Sequence, residues 1–285
     1  MWKLAYPASS AEDAFELCTD GMRRTDLRNR LMNVKADYVA AKEKFQELKK
    51  QNELHLFSIT NIPAGLVAND EFIGLYDEKI RSKKSKARVI FSELMRDVDR
   101  CPLCGKTPKP PTLDHHLPKS KFPILAIYPQ NLVPVCHECN GLKGDTFPTL
   151  ETEQILHPYY ESIENEQWLF ASLTENETLT FNFSVQAASS WDVSLTKRVQ
   201  NQFDLLKLNE RYGVWASVEL SDVAETLIDL YNRTGTSGLR NHLLSQASSR
   251  GRRNRLNYWM AVTYRTLATN QWFCNGGVLE LLAFL

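Results

Sequence analysis

The sequence predicts a mostly α-helical, α+β protein in which a small central ββα-type metal module and a short β-hairpin interrupt long helical stretches. Three observations carry that prediction. An apolar stripe at helical spacing fills the N-terminal region, two C-x-x-C pairs bracket a compact middle, and alternating apolar residues around a polar turn precede further helical periodicity.

A length of 285 residues with 43% hydrophobic and 24% charged content is ordinary for a globular chain. No apolar run approaches the roughly 20 residues that span a bilayer. The start, MWKLAYPASSAEDAFELC, lacks the basic opening and long apolar core of a secretory signal. A soluble, cytoplasmic protein is the expectation. Net charge is zero, yet residues 79–143 hold thirteen Lys and Arg against five Asp and Glu, a net of +8. A basic middle suits phosphate binding, because each neutralised phosphate releases condensed counterions. A solvated helix face accounts equally for part of KIRSKKSKARVIF.

Taken in order, residues 11–52 read as helix. Leu27, Leu31, Val34, Tyr38, Ala41, Phe45 and Leu48 recur at alternating four- and three-residue steps. Such a narrow seam suits a helical hairpin, a partner helix, or its own domain's core. Pro63 and Gly65 break the pattern, and a second helix is expected over 70–98. After the cysteine-rich middle, HPYY (157–160) reads as loop and residues 168–185 as a hairpin, with Leu179, Phe181 and Phe183 alternating beyond a polar turn at 174–177. Three helical faces follow: Leu195, Val199, Phe203 and Leu206; residues 214–231; and Leu256, Trp259, Met260, Tyr264 and Leu267. SSRGRRNR (248–255) is a second basic patch, open to nucleic acid or an acidic partner. Three segments result: a helical region over 1–98 offering a docking stripe, a zinc-stabilised module over 99–150, and a hairpin plus helices over 151–285.

Cys101 and Cys104 (CPLCGK) and Cys136 and Cys139 (CHECNG) each place two thiols on a tight turn, with 31 residues between the pairs. Together they complete a tetrahedral four-thiolate site, so the pairs read as a structural zinc centre rather than redox couples. Cys18 and Cys274 stand alone and read as small buried hydrophobes.

The stretch LDHHLPKS…NLVPVCHECNGLKG resembles the HNH endonucleases of the ββα-metal superfamily, in the subgroup whose active site is flanked by zinc-binding cysteine pairs. The resemblance covers about one sixth of the chain. It implies that Asp114-His115 ends the first strand, Asn131 begins the second, and Asn140 sits on the following helix. It implies further that His115 is the general base and that Asp114 and Asn140 offer oxygen ligands to a catalytic Mg²⁺ or Mn²⁺. Asn131 would fasten the loop and orient His115. Asn140 stands where the namesake pattern has a final His, which favours an oxygen-ligated ion. Strand alternation turns His116 away from His115, toward packing or the substrate side. Lys119, Lys121 and Lys143 are candidate phosphate contacts, with a solvated surface role the alternative for each.

The same stretch is also similar to PtuB-type nucleases of Septu anti-phage systems, which work beside an ABC-type ATPase. That likeness implies such a protein partner, with DNA as the default substrate and RNA, including tRNA, a second one. Two rivals stand beside it: a stand-alone restriction-like HNH enzyme, and a non-catalytic zinc module that binds nucleic acid or protein.

Overall fold

A computed structural model of the chain describes residues 2–63, 66–175 and 179–284. These form two compact units, 2–161 and 162–284. Helices dominate, and the only sheets among the described residues are two antiparallel pairs of strands, so the mostly α, α+β architecture is as expected. The expected helical region and central module fall within the first unit, and the boundary lies at residues 161–162. Among the described residues, no helix is long and apolar enough to cross a membrane.

The helix expected over 11–52 is broken in two. Helix α1 (Ala11–Thr19) starts at a capping box in which Ser10 and Asp13 satisfy each other's backbone N–H. The chain turns at Gly21 (φ 62°) before α2 (Thr25–Lys50) begins. Every residue of the α2 stripe is buried. Tyr38 lies against Phe15 (ring centroids 5.5 Å) and Phe72 (6.0 Å), and Phe45 meets Tyr128 edge-on at 5.2 Å. The seam is therefore covered by its own unit and is not a docking stripe. Seven-residue periodicity reports an apolar seam but not what covers it.

The helix expected over 70–98 is also interrupted. Helix α3 (Asn69–Leu75) runs into a π-helical turn (Tyr76–Ile80), and α4 (Arg88–Leu94) follows after an irregular segment. Strands β1 (Thr112–His115) and β2 (Leu132–Val135) pair antiparallel with His115 opposite Leu132, and α5 (His137–Lys143) completes a ββα unit. Pro134 costs the ladder little, because each strand of a two-stranded sheet is an edge.

In the second unit β3 (Leu169–Glu175) pairs with β4 (Leu179–Val185), burying Phe181 and Phe183. The hairpin turn lies partly outside the described residues. Helix α6 (Val193–Leu205) precedes α7 (Leu208–Asn254), which kinks at Gly235. Arg250, late in α7, reaches Glu219 at 3.1 Å, so the two halves fold back antiparallel before α8 (Trp259–Thr269). Within the 248–255 patch Arg250 pairs with Glu219 and lies 4.3 Å over the Tyr264 ring, Arg255 pairs with Glu164 and stays half-exposed, and Arg252 is exposed; the Arg253 side chain lies outside the described residues.

Candidate active site and metal centre

The two C-x-x-C turns meet. The four sulfurs of Cys101, Cys104, Cys136 and Cys139 lie within 4.8 Å of one another, a set able to hold a metal ion. Cys104 and Cys136 Sγ are 3.8 Å apart. A disulfide needs about 2.05 Å, whereas the edge of a tetrahedron with metal–sulfur bonds of about 2.3 Å is about 3.8 Å. The spacing thus fits a tetrahedral thiolate centre. Neighbouring thiols hold Cys136 far below the ordinary thiol range, Cys101 foremost, and the same contacts push Cys104 and Cys139 up. Four crowded sulfurs cannot all ionise without a cation among them.

Local structure builds the centre. Cys136 caps α5, its Sγ accepting the Cys139 N–H at 3.4 Å. Gly105 turns with φ 74°, and a Cβ there would fall 2.2 Å from the Trp2 ring, so only glycine lets the indole lie on the first knuckle. Cys18 and Cys274 are fully buried and are not members of this cluster. His137 is exposed.

Asp114, His115 and Asn140 of the ββα unit line one cleft of about 360 Å³, and none of the four cysteines is in its lining. His115 is 5% exposed, and its Nε2 lies 2.9 Å from the Ala126 carbonyl. A carbonyl only accepts, so Nε2 carries the proton and Nδ1 keeps the lone pair. Burial pushes this histidine down to about 3, with Lys119 and Lys143 adding to the effect against the Ala126 carbonyl. It is therefore neutral at cellular pH. Burial also raises Asp114, despite Lys143 beside it.

Asn131 is fully buried behind the cleft rather than in it. Its Oδ1 accepts the Leu117 N–H at 2.8 Å, and its Nδ2 donates to the Leu117 (3.0 Å) and Leu125 (3.4 Å) carbonyls. The amide staples both ends of the loop between β1 and β2, including the segment that presents the Ala126 carbonyl to His115. Its backbone carbonyl accepts the His116 N–H at 2.8 Å. His116 itself packs on the buried His157, ring centroids 4.1 Å apart, away from the cleft.

The three lysines separate. Lys119 lines the cleft mouth, held by Asp77 at 3.0 Å and lying 4.8 Å over the Tyr76 ring. Lys121 is exposed and outside the lining. Lys143 corrects its expected role as a phosphate contact. It is 3% exposed, and its ammonium is fixed 3.0 Å from the Asp114 carboxylate and 2.7 Å from the His115 carbonyl. Burial leaves no face of it for a surface phosphate.

Tyr76, Arg81 and Asp145 also line the cleft. Tyr76 and Arg81 lie far upstream of the motif, and only tertiary folding brings them in. The basic run that includes Arg81 was the sole signal of them in the sequence.

No family model matches the chain, and no solved structure matches it. Among curated proteins the chain is similar to "Protein ea31" of Escherichia phage lambda, 26% identical over 295 residues, covering 97% of this chain and 100% of that protein. The likeness therefore extends through both units.

Proposed function

We propose that the chain is a metal-dependent HNH-type endonuclease hydrolysing nucleic-acid phosphodiester bonds, with DNA as its substrate and a structural zinc in the four-cysteine centre. Cytoplasmic residence suits that centre, because thiols stay reduced there and free to bind metal. The observation that carries the reading is the convergence of Asp114 and His115 from β1 and Asn140 from α5 on one cleft with a cationic rim.

A hydrolytic divalent ion fits the donors present. The Asp114 carboxylate and the Asn140 amide oxygen would hold it, and both are the hard oxygen ligands that Mg²⁺ prefers. When bound, the ion supplies Lewis-acid stabilisation of the scissile phosphate and the leaving oxygen. The protein's own part is proton handling and positioning. Neutral His115, with Nε2–H fixed on the Ala126 carbonyl, directs its Nδ1 lone pair to take the proton of an attacking water. Burial keeps its basicity low, and the negative charge of a phosphate in the cleft would raise it. Lys119 at the mouth contributes positive charge toward the backbone.

The buried Lys143–Asp114 pair favours a second reading, a non-catalytic zinc module, because it neutralises the carboxylate without any metal. Cleavage separates the two. Full-length protein should cut duplex DNA only with Mg²⁺ or Mn²⁺, and Asp114→Asn should abolish cutting while retaining zinc; a wild type that binds DNA without cutting it supports the second reading. An ATPase partner, if it serves this chain, must dock elsewhere than on the covered α2 stripe.

A further inference from the structure

The mouth of the cleft holds a device outside the motif. The π-helical turn is closed by the Arg81 N–H on the Tyr76 carbonyl at 2.9 Å. Such wide turns are rare, and they concentrate at functional sites. This one brings Tyr76 and Arg81 onto the same cleft wall. Tyr76 is the fixed point. Its hydroxyl donates to the Leu113 carbonyl at 2.8 Å, tying the turn to β1, and its ring meets His115 edge-on at 4.6 Å.

Asp77, next in the turn, holds two cations from two different elements. One carboxylate oxygen accepts Arg81 Nη1 at 2.6 Å, and the other accepts Lys119 Nζ at 3.0 Å. Arg88 donates to the Arg81 carbonyl at 2.5 Å, which pins the backbone at the end of the turn. The Arg81 side chain nevertheless stays 60% exposed. A guanidinium has five N–H donors in a planar fork, and one contact to Asp77 leaves most of the fork open. Beyond it Lys83 and Lys84 are exposed, as is Lys86, which pairs with Asp20 at 2.7 Å.

We propose that Arg81 is a backbone-phosphate contact of the cleft, preset by Asp77, which grips the nucleic-acid phosphate beside the scissile one while Lys83 and Lys84 continue the path outward. The inference rests on the endonuclease reading for its substrate. Asp77 is a positioning residue: it fixes the direction of the fork and ties it to Lys119. A planar fork suits phosphate, which it grips with two parallel hydrogen bonds.

The test uses the full, zinc-loaded chain and a short duplex DNA. Binding is followed by fluorescence anisotropy over a KCl series with His115→Ala as the background, and cleavage is followed with His115 intact. Arg81→Ala should lower the slope of log affinity against log salt by about one phosphate contact. It should raise KM about tenfold with kcat nearly unchanged, the loss expected of one charge-assisted pair. Arg81→Lys should restore the salt slope but only part of the affinity, because a point charge lacks the fork. Asp77→Asn should lower kcat/KM although it adds net positive charge, an outcome that bulk electrostatics would reverse. An Arg81→Ala protein with unchanged slope and KM, beside a wild type that cuts, overturns the proposal and leaves the endonuclease reading standing. A wild type that binds but never cuts, with the slope still falling in Arg81→Ala, overturns the endonuclease reading and supports the phosphate contact.

Discussion

Replacing Asn131 by alanine removes the amide that staples the loop between β1 and β2. Asn131 is fully buried, and its three side-chain hydrogen bonds all go to backbone groups of Leu117 and Leu125. Each bond contributes about 1 kcal/mol net, and a buried N–H left without an acceptor costs about 1–3 kcal/mol in its own right. The Leu117 N–H would be such a group. Counting the two bonds that the amide donates at about 1 kcal/mol each and the orphaned N–H at about 1–3 kcal/mol places the loss at about 3–5 kcal/mol, a large share of the 5–15 kcal/mol typical of a folded domain. The consequence reaches the chemistry, because the stapled loop carries the Ala126 carbonyl that fixes the His115 tautomer. Urea unfolding read by zinc release to a chromogenic chelator reports this unit apart from the other, which matters in a two-unit chain. We expect a lower midpoint and at least a tenfold fall in cleavage under conditions where the variant stays folded. A loss below about 1 kcal/mol with full cleavage would refute the reasoning, since it would mean that neither loop nor base depends on the amide.

Lys143→Met should destabilise the zinc-loaded first unit by about 3–5 kcal/mol in magnesium-free buffer, because it leaves a buried carboxylate without its partner. Millimolar Mg²⁺ should restore part of that stability through binding at Asp114, and an equal loss with and without the ion would count against a divalent site there. Cys136→Ser should reduce zinc from one per chain to none and unfold the first unit, since such centres contribute on the order of 10 kcal/mol, while Cys18→Ser should keep its zinc. His115 and His157 are both held down to about 3 by burial, so the unfolded chain binds about two more protons than the folded one below pH 6.5. Their contribution is complete above pH 6.5 and is lost as pH falls toward 3, at about 2.7 kcal/mol per pH unit for the pair; the raised Asp114 offsets some of this at the acid end. The pH dependence of unfolding between pH 7 and 5 should be smaller in His157→Phe than in the wild type by about one proton, about 1.4 kcal/mol per pH unit, and an unchanged slope would contradict the assignment.

Much of the candidate site was legible because its signals are local. Two thiols on each tight turn announce a metal centre by spacing alone, and Asp114-His115 with Asn131 and Asn140 form a recognisable pattern. Period-two alternation likewise fixed the opposite facing of His115 and His116. What was not legible depends on tertiary partners. The α2 stripe is equally regular whether a partner or its own unit covers it, and here Phe15, Phe72 and Tyr128 do so. Lys143 reads as a surface lysine on a helix's last turn, and only its contact with Asp114 shows it to be interior. Arg81 and Tyr76 belong to a turn whose helical period runs on in the sequence, so neither the wide turn nor its place at the cleft could be read there.

The central claim is a division of labour, in which four cysteines hold the fold and a separate cleft performs hydrolysis with His115 as its base. Its most direct measurement compares wild type, His115→Ala and His116→Phe, each with its zinc content determined, for Mg²⁺-dependent cleavage of duplex DNA. The account predicts one zinc in all three, cleavage by wild type and His116→Phe, and a loss of at least a hundredfold in His115→Ala. Cleavage undiminished in zinc-loaded His115→Ala would contradict it.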